Sequence, residues 1–154
     1  MKEIDQHHFE ACYRLWRALV DSAVSREKFY EVFTAPFTAW GVIYAQENRP
    51  VGLVLTVLLP TALYILYVGV LPEYRRRGLA SAAIEKIVSG LPGSHPVIAC
   101  VPKENWPARY LFVGCGFLPI SQEHSGFSRH IHFIYRDCRD TCYAVAQRAL
   151  EIAN

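Results

Sequence analysis

The sequence predicts a single α/β domain of the α+β kind: a mostly antiparallel sheet of about seven strands flanked by helices, with an extra C-terminal helix. Three observations carry that prediction. Short apolar runs bounded by turn residues recur at Trp40–Gln46, Val51–Leu58, Leu63–Val70, Val97–Val101, Phe117–Ser121 and Arg129–Tyr135, the signature of strands. Apolar residues three and four apart mark helices between and around those runs. The composition, 52% hydrophobic and 19% charged over 154 residues, suits one packed core.

Taken in order, Met1–Ile4 makes a short strand. Asp5 then caps a helix whose Phe9, Cys12, Tyr13, Leu15, Trp16, Leu19 and Val20 form one apolar stripe. Ser25 precedes a second short helix with Phe29, Tyr30 and Phe33, ended near Pro36. Glu47-Asn48-Arg49-Pro50 is a turn between two strands. A helix runs from about Gly78 to Ser89 and is closed by Gly90 and Pro92. Asn105 opens another, with Pro107 in the first turn where no donor is needed, and it ends at Gly114 or Gly116. Asp137, with Asp140 three residues on, starts a last helix to about Ile152. The domain spans 1–154, with a core to about 135 and the added helix at 137–152.

Several partners are excluded at this level. The formal net charge is only +2, so no general attraction to nucleic acid is expected. Val51–Val70 is twenty residues without a charge, long enough to cross a bilayer. Pro60-Thr61 interrupts it, and its β-branched and aromatic content reads as two buried strands joined by a turn, not a membrane span. Five cysteines form no Cys-x-x-Cys pair and the first ten residues lack a secretory pattern, so free thiols in a reducing cytoplasm are the expectation.

The sharpest local signal follows the strand Leu63–Val70: Leu71-Pro72-Glu73-Tyr74-Arg75-Arg76-Arg77-Gly78-Leu79-Ala80-Ser81. An apolar strand enters a basic, glycine-containing turn and then a helix. The first amides of a helix have no internal partner and lie along a dipole that favours anions. Gly78 and Ala80 let the backbone approach an oxyanion, and Arg75, Arg76 and Arg77 supply charge-assisted bonds. The pattern is neither a P-loop nor a Rossmann fingerprint. Read locally, it is also an exposed arginine run at a helix start.

Downstream stands Asn105-Trp106-Pro107-Ala108-Arg109-Tyr110-Leu111-Phe112-Val113-Gly114-Cys115-Gly116-Phe117. With the first segment, this resembles the GNAT superfamily of acyl-CoA N-acyltransferases. Arg75, Gly78 and Ala80 match that family's Gln/Arg-x-x-Gly-x-Gly/Ala. Asn105, Ala108, Leu111, Phe112, Gly116 and Phe117 match Asn-x-x-Ala-x-x-Leu-Tyr/Phe-x-x-x-Gly-Phe. One strand separates the two, as the family requires, and the element order from Met1 to Tyr135 agrees.

The resemblance implies acetyl-CoA as acyl donor, without a metal. Amides from Arg76 to Ser81, Leu79 among them, would hold the pyrophosphate with the arginines around it. Val68, Gly69 and Val70 would pair with the pantetheine arm through their backbone. Gly69 suits a bulge or a close backbone approach. Asn105 would bond the pantetheine, Ala108 would belong to the same wall, and Phe112 would lie near the thioester. Each of these also has an ordinary structural role: Asn105 as a helix cap, Ala108, Leu111 and Phe112 as a buried helix face.

The implied reaction is acetyl transfer to a primary amine of a small molecule or peptide, by direct attack on the thioester. The amide of Val68 would meet the developing oxyanion. Two departures from the family stand out. Phe112 occupies the place where many relatives carry a tyrosine acid, and Tyr64 the place where some carry a glutamate base. Tyrosine is a poor base at neutral pH but can order a water. Tyr67, His130, His132 and Tyr135 are further candidates for proton transfer. His130 and His132 share a strand face and, with Cys138 and Cys142, are also a conceivable metal set. Cys115 borders the site one helical step past Phe112. Tyr30, Phe33, Phe37 and Trp40 line the acceptor pocket in this reading, or else are core. The last helix packs on its own domain or on a second copy in a homodimer. A domain of this fold that holds acyl-CoA without catalysis is the rival, favoured by the missing tyrosine at 112.

Overall fold

The computed structural model describes residues 5–20, 24–91, 95–120 and 130–135. The strand expected at Met1–Ile4 and the helix expected at 137–152 lie outside the described residues, as do Cys138 and Cys142. The expected homodimer contact of that helix lies outside them too.

Helix α1 spans Gln6–Leu19, and the carboxylate of Asp5 accepts from the amides of His7 and His8. Helix α2 spans Arg26–Phe33 and is capped by Ser25, whose hydroxyl accepts from the Lys28 amide. Both caps satisfy donors that a helix start leaves unpaired. Strands β1 (Thr38–Tyr44), β2 (Pro50–Leu58) and β3 (Leu63–Val70) follow. Then come α3 (Leu79–Ser89), β4 (Val97–Pro102), α4 (Trp106–Gly114), β5 (Phe117–Ile120) and β6 (His130–Tyr135). β1 starts two residues before Trp40, and the chain leaves it at a 3-10 turn, Gln46–Asn48, where Glu47 has a φ of 64°. That turn replaces the last strand residues expected from the sequence.

The described strands form one six-stranded sheet in the order β1-β2-β3-β4-β6-β5. Only β3 and β4 run parallel; the other pairs are antiparallel. The uncharged stretch Val51–Val70 thus lies in β2, its turn and β3, and among the described residues no helix is long and apolar enough to cross a membrane.

Side chains alternate across the sheet and build a core on each face. On one face Val54, Ile65, Val70, Val101 and Phe112 pack with Ile84 of α3. On the other, Leu53 meets Phe9, Cys12 and Leu15 of α1 and Phe29 of α2. Aromatic rings dominate this second layer: Phe29–Trp40 centroids are 5.0 Å apart, Phe9–Phe33 5.1 Å and Trp16–Tyr67 5.3 Å. Each such pair contributes about 0.5–1.5 kcal/mol beyond its buried area, enough to fix two short helices on the sheet.

Candidate functional site

The parallel pairing of β3 with β4 covers three residue pairs, Leu63 to Ile65 against Val97 to Ala99. Beyond them β3 continues to Val70 and β4 to Pro102 with no pairing between the two, and a cleft opens. Leu66, Tyr67 and Val68 line it from β3, and Cys100, Val101 and Pro102 from β4. Its third wall is Asn105 with Ala108, Leu111 and Phe112 of α4. The cleft measures about 310 Å³, within the range of small-molecule sites.

The opening has a local cause. In the β2–β3 ladder Leu55 faces Tyr67 and Thr56 faces Ile65, which leaves Leu66 without a partner. That bulge bends β3 away at the point where its pairing with β4 stops. Gly69, where the sequence suggests a bulge or close approach, serves the second purpose: a Cβ there would lie 2.5 Å from the Tyr67 hydroxyl oxygen. The ring of Tyr67 folds back over Gly69.

After β3, a 3-10 turn at Pro72–Tyr74 leads into the arginine run. Arg75 Nε donates to the carbonyl of Val70 at 2.9 Å, and Arg77 donates to the carbonyl of Glu73 at 3.0 Å while its guanidinium lies over the Tyr74 ring. Arg76 has a φ of 60° and Gly78, the N-cap of α3, a φ of 75°. Left-handed residues on either side of Arg77 turn successive amides toward a common side, as anion-holding loops do. Nothing lies within 4 Å of the place a Gly78 Cβ would take. A positively charged turn at a helix start, open at Gly78, fits a phosphate group on these grounds.

Asn105 caps α4 by accepting from the Ala108 amide at 3.2 Å, and it also lines the cleft, so its structural and proposed binding roles coincide in position. Phe112 is 5% exposed and packs on Phe117 at 5.2 Å and Phe133 at 6.3 Å. Tyr110, two residues away, is 71% exposed on another side of α4. Tyr64 stands beside the cleft, packed against Ala62, Ile98 and Ile134. Its hydroxyl is buried without a hydrogen-bond partner, and burial, helped by nearby Cys100, pushes its pKa up. Burial likewise raises Cys100. Tyr67 is raised by burial while Arg75 pulls it the other way.

Cys115 does not line the cleft; it packs in the core against α3, hydrogen-bonded to Ser81 at the start of that helix and raised by burial. Cys100 is the thiol in the cleft, and nothing in the sequence separated it from the other strand residues of β4. Phe33 and Trp40 stack in the aromatic core, 5.8 Å apart. Tyr30 lines a separate open hollow with Phe9, Arg26 and Glu27, and Phe37 is exposed at a φ of 67°. His130 and His132 lie in β6 opposite Pro102 and Cys100. Among the described residues no cluster of three metal-ligating side chains occurs.

The acetyltransferase (GNAT) family model matches residues 5–117. The chain belongs to that family. Solved structures of the same fold include Arabidopsis thaliana NAA60 in complex with acetyl-CoA, at 21% identity and a TM-score of 0.66, covering 86% of this chain and 94% of that one. The ribosomal-protein-S18-alanine N-acetyltransferase of Escherichia coli aligns at 17% identity and a TM-score of 0.65, over 86% of this chain and 88% of that one. A spermidine N-acetyltransferase SpeG chimera from Vibrio cholerae and hSSAT aligns at 16% identity and a TM-score of 0.66, over 85% and 91%. No curated protein matches the chain by sequence. The six-stranded, largely antiparallel sheet with its split between β3 and β4 is therefore a GNAT sheet, with six described strands against the seven expected; the expectation at Met1–Ile4 falls outside the described residues.

Proposed function

We propose that this GNAT acetyltransferase transfers acetyl from acetyl-CoA to the primary amine of a peptide or small molecule by direct attack on the thioester. The observation that carries the reading is the pairing of the β3–β4 cleft with the left-handed arginine loop that β3 runs into. A slender arm fits the first and a diphosphate the second. The acyl donor supplies the activated thioester.

In this reading amides from Arg76 through Leu79 and Ala80 to Ser81 hold the pyrophosphate, and Arg75, Arg76 and Arg77 surround it. The backbone of Val68, Gly69 and Val70 meets the pantetheine arm, with Asn105 and Ala108 across the cleft. Phe112 closes the far wall. The amide of Val68 stabilises the developing oxyanion.

The ionisable groups near the reacting end, Tyr64, Tyr67 and Cys100, are all shifted toward their protonated forms. Tyr64 therefore acts as a hydrogen-bond partner to the amine or to a water, and not as an anionic base. The acceptor has to arrive neutral. A peptide α-amine, with a pKa of about 7.7 to 8.0, is neutral roughly one time in ten at pH 7. A lysine-like amine, at about 10.4, is neutral about once in 2,500. This favours α-amines.

An acetyl-CoA turnover assay on a panel of peptide α-amines, lysine side-chain amines and polyamines tests the proposal. The expected result is turnover fastest on peptide α-amines, with kcat/KM rising as pH approaches about 8. Binding of acetyl-CoA with no turnover on any amine would instead mark a domain that only holds the acyl donor, as the apolar Phe112 would allow.

A further inference from the structure

Tyr67 is a cleft residue of β3 whose ring lies along its own strand over Gly69. Its hydroxyl oxygen lies 2.5 Å from where a Gly69 Cβ would be, and two ring carbons lie 2.8 Å from it. Only glycine leaves that space. Trp16 packs on the ring at a centroid distance of 5.3 Å, and Trp16 in turn stands edge-on to Trp40 at 5.7 Å. The phenol is held in one position by packing, so a bond it makes carries little ordering cost.

That position matters because of what surrounds it. Gly69 sits between Val68, at the cleft, and Val70, whose carbonyl is tied to Arg75. Arg75 acts electrostatically on the Tyr67 hydroxyl. The phenol thus stands over Gly69 on the sheet face that α1 covers, between the level of the cleft and that of the arginine loop. Asn105 and Ala108 wall the cleft from α4.

We propose that Tyr67 is a donor-positioning residue, its hydroxyl donating a hydrogen bond to an amide carbonyl of the pantetheine arm as that arm passes Gly69. The inference rests on the acetyl-CoA reading above. It gives Gly69 a specific task, to seat the phenol and not merely to admit the ligand's backbone contact.

The test is the affinity of the full chain for two probes: acetyl-CoA, and the donor's nucleotide end alone, with the pantetheine removed. Tyr67→Phe keeps the ring over Gly69 and deletes the hydroxyl. It is expected to weaken acetyl-CoA binding about 3- to 10-fold, the range for one neutral hydrogen bond, and to leave the nucleotide fragment unchanged. Gly69→Ala pushes the phenol aside and is expected to weaken acetyl-CoA at least as much, with Tyr67→Phe adding little on top of it. Equal affinity of Tyr67→Phe and wild type for acetyl-CoA would overturn the inference, as would equal weakening of both probes. If wild type binds the nucleotide fragment and acetyl-CoA with the same affinity, the arm makes no contact and the inference falls. If wild type binds neither, the acetyl-CoA reading itself fails, and this inference with it.

Discussion

Arg75 Nε donates to the carbonyl of Val70 across 2.9 Å. This single bond ties the arginine loop to the end of β3, so the two parts of the site share one rigid joint. Arg75→Lys keeps the charge but loses the planar fork that makes the bond. The expected outcome is acetyl-CoA binding weakened about tenfold, as for the loss of a charged hydrogen bond, with little change in Tm because the residue is exposed. Calorimetric titration of the variant measures the first, thermal unfolding the second.

Phe112 puts an apolar ring at the cleft wall. Buried between Phe117 and Phe133, it is a core residue as well as a lining one. Phe112→Ala is expected to destabilise the domain by about 3–5 kcal/mol, read from denaturant unfolding at neutral pH. A loss under about 1 kcal/mol would mean the wall can collapse around the gap.

Tyr64 separates stability from function. Its hydroxyl is buried and unpartnered, so deleting it removes an unsatisfied polar group. Tyr64→Phe is expected to hold or raise the Tm while lowering kcat about 3- to 10-fold, the scale of one neutral hydrogen bond. An unchanged kcat would remove Tyr64 from the reaction.

Cys12 packs under α1 with no exposed surface, and burial pushes its thiol from 9.0 up to about 12. The folded state then holds a proton that the unfolded chain releases above about pH 9. Stability is full below that pH and is lost as pH rises toward about 12, because the unfolded state binds fewer protons in that window. Urea midpoints measured across it are expected to fall in wild type, and to fall less steeply in Cys12→Ala, whose midpoint at neutral pH is itself lower for the lost packing.

Much of this was legible from the sequence because it is local. Asp5, Ser25 and Asn105 announce helix starts, and each accepts from its own first-turn amides. Gly78 reads as leaving room for an oxyanion, and the place its Cβ would take is open. What was not legible depends on register between strands. The bulge falls at Leu66, not at Gly69, because cross-strand pairing with Leu55 and Thr56 decides it, and no single strand carries that information. Cys100 lines the cleft only because β4 is unpaired on that side past Ala99. Phe33 and Trp40, read as pocket or core, are core because α2 packs on β1 and brings Phe29 and Phe33 against Trp40. The ring of Tyr67 over Gly69 is a side-chain choice that spacing cannot reveal.

The central claim is that the cleft and the arginine loop bind acetyl-CoA, and thermal unfolding with and without acetyl-CoA tests it most directly, on wild type and on the double variant Arg76→Ala/Gly78→Glu. At about 100 times the dissociation constant the ligand is expected to stabilise wild type by about 2.7 kcal/mol, and the double variant, which loses one cation and fills the open space at Gly78 with a carboxylate, by almost nothing. No shift of wild type at millimolar acetyl-CoA, or an equal shift in both proteins, would contradict the account.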